Sequence, residues 1–358
     1  MEYYDIRKDF AAYPNAWCLV LVGGRDIGKT YSTLKKYLED DEKTVFVKRT
    51  NKDVELMCAG NSISKKNVDY DINFSPYKAI NRDIGTNVKA FSIKPGIGAF
   101  YHATQEGSAA GSPISYIVSL HAVADVKGFD LSECVAIIFD EFIARLWERV
   151  DRKEGDQLMD LYETVSRDRF ERTGQELKLI LLANAVNVFN PVCETLELTD
   201  IIAEMDRVGP KSVYLEDRGI LIRILPTPPE MLEKKKQRGI YKSMKGTAWG
   251  RMAFDNTFAY NDFTKIKKQA LKNYKPVCSI AYKEKTWYLY VNESKGYYLC
   301  GSRHNGMEFY NLNEETEQKR FYYDHVLELA NASIEGRMTF EKYGMYDLIM
   351  NYKKRFVL

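Results

Sequence analysis

Gly23-Gly24-Arg25-Asp26-Ile27-Gly28-Lys29-Thr30 fits the pattern G-x-x-x-x-G-K-[ST] at every fixed position. The run before it, Trp17-Cys18-Leu19-Val20-Leu21-Val22, is apolar and rich in strand formers. The run after it, Lys29 to about Asp40, reads as a helix. A strand, a glycine loop and a helix in that order form a cradle for phosphates. The loop must wrap its backbone N–H groups around anionic oxygens, and side chains at Gly23 and Gly28 would obstruct the wrap. Lys29 then reaches the β and γ phosphates and Thr30 places a hydroxyl on Mg²⁺. The implied cofactors are ATP and Mg²⁺, with Gly23, Gly24, Arg25, Asp26, Ile27, Gly28, Lys29 and Thr30 around the nucleotide. In a chain of this length, four fixed positions match by chance roughly one time in a hundred.

Thr44-Val45-Phe46-Val47-Lys48-Arg49 reads as a second strand, which opens a parallel α/β sheet. Cys134 to Phe139 is a buried strand that ends in Asp140-Glu141. Asp140 is the candidate Mg²⁺ ligand and Glu141 the candidate general base, and the adjacent acidic pair points to hydrolysis. Leu177 to Ala183 is another buried strand, and Asn184 after it fits a γ-phosphate sensor. An Asn at a plain strand-to-loop turn stays open as the alternative. Asp125-Val126-Lys127-Gly128 matches D-x-x-G, but no N-K-x-D guanine motif accompanies it, so a GTPase is not read. Arg167, Arg169 and Arg172 cluster before the Asn184 strand. They are candidates to reach a neighbouring subunit's phosphate, with a solvated amphipathic helix as the alternative.

The chain has 358 residues, too many for one small core. We expect a P-loop ATPase domain over 1–199, a lid and linker over 200–262, and a smaller α+β domain over 263–358. Strands are expected over 86–120 with a turn at Pro95-Gly96, a helix over 153–171, and a polar surface insertion over 58–76. The last third holds aromatic strands at Val277–Tyr282, Thr286–Val291 and Gly296–Cys300, then helices near 322–335 and 339–353. Hydrophobic residues are 45% and charged residues 28%, with no apolar run near the roughly 20 residues of a membrane span. No signal peptide is read. Six scattered cysteines and four histidines form no metal-site spacing, and reduced, buried thiols are expected. The net charge of +2 gives no global pull on nucleic acid. Any DNA contact must then come from local patches such as Lys65-Lys66 and Lys234 to Arg238.

At this point the chain resembles the DNA-packaging ATPases of small short-tailed, phi29-like phages, terminase-like ring motors of the additional-strand (ASCE) class. The resemblance rests on residues 23–30, Val45–Arg49, Ile138–Ile143, Thr164–Arg169, Asn184–Val186, Asn190-Pro191 and Gly250–Phe258, in that order along the chain. It implies that Lys29, Thr30, Asp140 and Glu141 act in cis. It implies further that Arg167 is a trans-acting arginine finger, Lys127 a second trans-acting basic residue, Arg25 a basic position inside the loop, and Asn184 a sensor. Partners implied are double-stranded DNA, the portal or connector of the procapsid, and copies of this chain in a homomeric ring of about five or six subunits. A structural packaging RNA is a further partner the resemblance leaves open. No membrane is implied, and the location is the host cytoplasm, docked transiently on the procapsid. The C-terminal part resembles a vestigial RNase H-like nuclease domain. Its first strand, Val277 to Tyr282, carries no carboxylate, which argues against nuclease activity.

Two other functions fit the motifs: a P-loop helicase or other DNA-remodelling ATPase, and a non-enzymatic nucleic-acid adaptor. Strand-displacement assays separate the first from a translocase. The intact set Lys29, Thr30, Asp140 and Glu141 speaks against the second.

Overall fold

The computed structural model describes residues 3–62, 75–145, 148–185, 187–188, 190–207, 209–244, 246–247, 250 and 263–356. Lys65 and Lys66, and residues 251–258 of the family-like segment, lie outside the described residues. The chain divides into two compact units, Met1–Leu196 with Val208–Tyr260, and Glu197–Arg207 with Asn261–Leu358.

The first unit is built on a nine-stranded sheet. Its strands are β1 (Cys18–Gly23), β2 (Thr44–Lys48), β3 (Val88–Lys94), β4 (Ile97–Ala103), β5 (Ala109–Ser119), β6 (Ala136–Asp140), β7 (Lys178–Ala183), β8 (Ser212–Leu215) and β9 (Ile220–Leu225). They run in the order β3-β4-β5-β2-β6-β7-β1-β9-β8. The six strands from β5 to β9 in that order pair in parallel, and β3, β4 and β8 add antiparallel edges. Every residue of β1 is buried, as are the apolar residues of β6 and β7. Continuous apolar runs are what a parallel sheet covered on both faces requires. The β3–β4 turn has Gly96 at φ +73, a left-handed conformation suited to glycine, where the sequence predicts it.

The second unit carries a five-stranded sheet of β10 (Lys275–Tyr282), β11 (Lys285–Asn292), β12 (Gly296–Cys300), β13 (Glu308–Asn311) and β14 (Met338–Phe340). Its order is β13-β10-β11-β12-β14. A core that includes Ile280, Leu289, Leu299, Phe321 and Leu348 joins this sheet to the helices at 315–334 and Tyr343–Met350.

Three local expectations change. The stretch 200–262 was expected as a lid and linker, yet β8 and β9 belong to the large sheet, because five of the six β9 residues are buried beside β1. The helix Thr199–Arg207 lies in the second unit, with Asp200 accepting the Gly344 N–H at 2.9 Å. The helix expected to start at 339 starts at Tyr343: Gly336 turns at φ +77, and the alternating burial of Met338 and Phe340 makes β14, paired with β12. The helix expected over 153–171 breaks at Arg167, whose φ of 34 separates Glu154–Ser166 from Arg169–Thr173.

All six cysteines are free and buried. Burial pushes the Cys134, Cys193 and Cys278 thiols up to about 12. At pH 8 each is then held as the unreactive thiol. A charged thiol reagent at pH 8 is expected to label none of the six in the native chain within minutes and all six in denaturant. Rapid native labelling, read by intact mass, contradicts this burial.

Candidate active site

Parallel register brings the candidate residues to one rim. Val22 pairs with Ala183, Gly23 with Leu225 and Asp140 with Leu182, so the strand ends of β1, β6, β7 and β9 stand level. Carboxyl ends of parallel strands are where open α/β sheets bind ligands. Strand β7 lies between β1 and β6.

The loop 23–30 has little freedom at its glycines. A Cβ on Gly23 would stand 2.6 Å from Ile27 Cδ1 and 3.0 Å from the Leu225 carbonyl oxygen. Gly28 has φ +94, and the Tyr4 N–H donates to the Ile27 carbonyl at 3.1 Å, pinning the loop from the N-terminal side. The helix Lys29–Glu39 starts there, so its unpaired N–H groups face the same space. Lys29 is buried, and its ammonium donates to the carbonyls of Gly23 at 3.0 Å and Gly24 at 2.8 Å, with Asn184 Oδ1 at 3.5 Å. Burial lowers its pKa to about 8, with Asp140 acting against that shift.

The Thr30 hydroxyl donates to Asp140 Oδ1 at 2.9 Å. Glu141 follows with φ 59, and its half-exposed carboxylate lies 3.6 Å from the Arg145 guanidinium. These residues line one cavity of about 780 Å³, shared by Arg25, Asp26, Lys29, Thr30, Asp140, Glu141, Arg145 and Asn184. Its remaining lining includes Tyr3, Tyr31, Arg82 and Asp83. A hydroxyl beside a carboxylate is a donor set that suits Mg²⁺, which keeps several water and phosphate oxygens of its own. Among the described residues no group of three or more His, Cys, Asp or Glu is set to hold a metal ion by itself.

Two basic residues to which the sequence alone assigns no role bear on this rim. Lys48 Nζ lies 3.2 Å from Asp140 Oδ2. Arg49 donates to the carbonyls of Glu141 at 3.3 Å and Phe142 at 2.9 Å, and pairs with the fully buried Glu154 at 2.8 Å. Their position at the end of β2, next to β6, is the signal, and it needs the strand order.

Arg167 and Lys127 lie together but not in this cavity. Both are exposed, and Arg167 donates to the carbonyls of Lys127 at 3.4 Å and Phe129 at 3.2 Å. With Asp130, Asp168 and Arg172 they line a separate cleft of about 530 Å³. Residues 127–134 enter β6 and Asp140 leaves it, so the cleft and the cavity stand at opposite ends of a strand about 16 Å long. Arg169, grouped with them in the sequence, is buried and faces the Cys134 carbonyl. In the basic run, Lys234, Lys236 and Arg238 are exposed, but Lys235 is buried and donates to the Arg25 carbonyl at 3.0 Å. Lys235 is thus not a surface DNA contact, because it faces the glycine loop 23–30.

The family now follows from comparison. Residues 105–341, more than half of the chain, match the podovirus DNA encapsidation protein (Gp16) family. The chain belongs to that family. The match begins beyond the phosphate loop. A subunit of the bacteriophage Phi-29 viral genome packaging motor assembly has the same fold, with a TM-score of 0.63 at 20% identity over 99% of both chains. The Phi-28 gp11 DNA packaging motor gives 0.60 at 19% identity, over 99% of this chain and 98% of that one. No curated protein matches in sequence. The expected resemblance is borne out. Among the described residues no helix is long and apolar enough to cross a membrane.

Gly23→Ala tests the loop. The clash with Ile27 and Leu225 is expected to cost about 1–3 kcal/mol of stability and to weaken ATP binding at least about tenfold. Denaturant unfolding and titration with a fluorescent nucleotide measure both. Wild-type affinity in the variant would remove the reason given for glycine at this position.

Proposed function

We propose that this protein is an ATP-driven translocase that moves double-stranded DNA into a viral procapsid as a homomeric ring docked on the portal. One observation carries the reading: in a chain of the encapsidation family, Lys29, Thr30, Asp140, Glu141 and Asn184 converge on a single cavity at the rim of a parallel sheet. The strand β7 between the loop strand and the acidic strand supports assignment to the additional-strand class of ATPases. In the second unit, β10 carries no Asp or Glu, so we read that unit as an RNase H-like domain used for docking and DNA contact, not for cleavage.

The chemistry follows from the side chains. Lys29 exchanges two loop carbonyls for phosphate oxygens, whose charge favours the ammonium against its burial. Thr30 and Asp140 would hold Mg²⁺, which supplies charge neutralisation on the phosphates. Glu141 accepts a proton from the attacking water. Asn184, beside the Lys29 ammonium, reports the presence of the γ-phosphate. Arg167 and Lys127 line a cleft separate from their own subunit's cavity, which supports a role at a neighbour's, where a guanidinium fork suits phosphate oxygens.

Glu141→Gln is expected to bind ATP as tightly as wild type and to lose on the order of a hundredfold or more in hydrolysis rate. ATP-dependent DNA import into purified procapsids should fall with it. Turnover or import at the wild-type rate in Glu141→Gln rules out its assignment as the base.

A mixing experiment tests the second site. Arg167→Ala subunits keep their cavity and lack the finger, whereas Lys29→Ala subunits keep the finger and lack the cavity. Rings of either alone are expected to be inactive, and mixed rings to recover part of the ATPase rate. No recovery at any mixing ratio would falsify action in trans.

A further inference from the structure

The helix Pro229–Gln237 buries Met231 and Lys235, one turn apart on the same face. Met231 belongs to an apolar core cluster of the first unit. Lys235 is only 3% exposed, and its ammonium donates to the Arg25 carbonyl at 3.0 Å and stands 5.9 Å from the Tyr241 ring centroid. Burying an ammonium opposes folding, and an apolar side chain beside Met231 would pack there at lower cost. Packing alone therefore does not account for a lysine at this position. Burial lowers the Lys235 pKa, while Asp26 in the phosphate loop acts in the other direction.

The placement of the two ends is specific. Arg25 lines the nucleotide cavity and Lys235 does not. Lys235 reaches the loop through its main chain, from outside the cavity. The neighbouring Lys234 and Lys236 point to solvent, because successive residues of a helix are turned by about 100°, and Arg238, past the helix end, is exposed as well. One residue of a basic run is thus spent on the loop and the rest are left on the surface.

We propose that Lys235 is a positioning residue for the phosphate loop: it holds the Arg25 peptide so that the Arg25 side chain faces the nucleotide. It thereby ties the helix Pro229–Gln237, with its exposed basic face, to nucleotide occupancy. This rests on the reading of residues 23–30 as an ATP-binding loop. ATP brings negative charge to a loop that already holds two buried ammonium groups, Lys29 and Lys235, and the Lys235 charge disfavours that of Lys29. Nucleotide binding therefore strengthens the contact between the helix and the loop.

Lys235→Met keeps the length and apolar body of the side chain and removes the donor. It is expected to lower the ATPase kcat by about ten- to a hundredfold and to weaken binding of a fluorescent ATP analogue by about three- to tenfold, because a contact that ATP strengthens must in turn strengthen ATP binding. Lys235→Arg should recover most of the loss. In an Arg25→Ala background, Lys235→Met should cost nothing further, since Lys235 acts through Arg25. Hydrogen exchange on the wild-type chain gives an independent reading: ATP is expected to slow exchange in the helix 229–237 as well as in the loop. Wild-type kcat in Lys235→Met overturns the proposal. So do losses that multiply with Arg25→Ala, or protection of the loop without protection of the helix. If ATP protects neither segment and the wild-type chain binds no nucleotide, the loop assignment itself fails, an outcome distinct from the others.

Discussion

The parallel pairing of β1 between β7 and β9 is the constraint on which the rest of this structure depends. Its register sets Gly23 against Leu225 and Val22 against Ala183, and through β7 it sets the level of Asp140. A slip of one residue would turn every side chain of a strand to the other face. For β6 that slip would carry Asp140 toward the apolar interior, where an unpaired carboxylate costs several kcal/mol. The buried strands resist it, since each large apolar side chain contributes about 1.5–3 kcal/mol by leaving water. Register, core burial and the assembly of the rim are thus one property.

The acidic turn after β6 is a second place where opposing terms can be weighed. A non-glycine residue such as Glu141 at positive φ costs about 1–2 kcal/mol. Arg49 donates to the carbonyls of Glu141 and Phe142, and hydrogen bonds from a charged donor contribute about 1.5–3 kcal/mol each. The bonds outweigh the strain, so the turn holds the Glu141 carboxylate at the cavity mouth without help from ligand. Arg49 is itself fixed by Glu154, whose carboxyl is pushed up by burial and pulled back by the guanidinium. A chain of charge thus runs from the start of the helix Glu154–Ser166 to the rim.

That same helix ends at Arg167, where the backbone leaves helical geometry and the guanidinium is held by three main-chain carbonyls. The cavity and the basic cleft stand at the two ends of β6, and each subunit offers both. In the proposed ring, the cleft of one copy would meet the cavity of the next.

Local signals in the chain were enough for the strand, glycine loop and helix at 18–39, for the acidic end of β6, for Asn184 at the end of β7 and for the aromatic strands after 275. Those signals are apolar runs, glycine spacing and strand-forming side chains, and each acts within a few residues. The break at Arg167, the strand at 338–340 and the place of β8 and β9 in the large sheet needed partners remote in sequence. Gly219, for instance, meets Trp17, and β9 completes a sheet whose first strand lies some two hundred residues earlier. Nor could a run of lysines tell which one turns inward: the composition of 234–238 is that of a solvated face, and only the packing of Met231 on the core rotates Lys235 onto the phosphate loop. The sequence by itself determined what chemistry each side chain can do. Tertiary structure decided which of them share a site, because the distance between two side chains is set by burial and register across the whole sheet and not by their spacing along the chain.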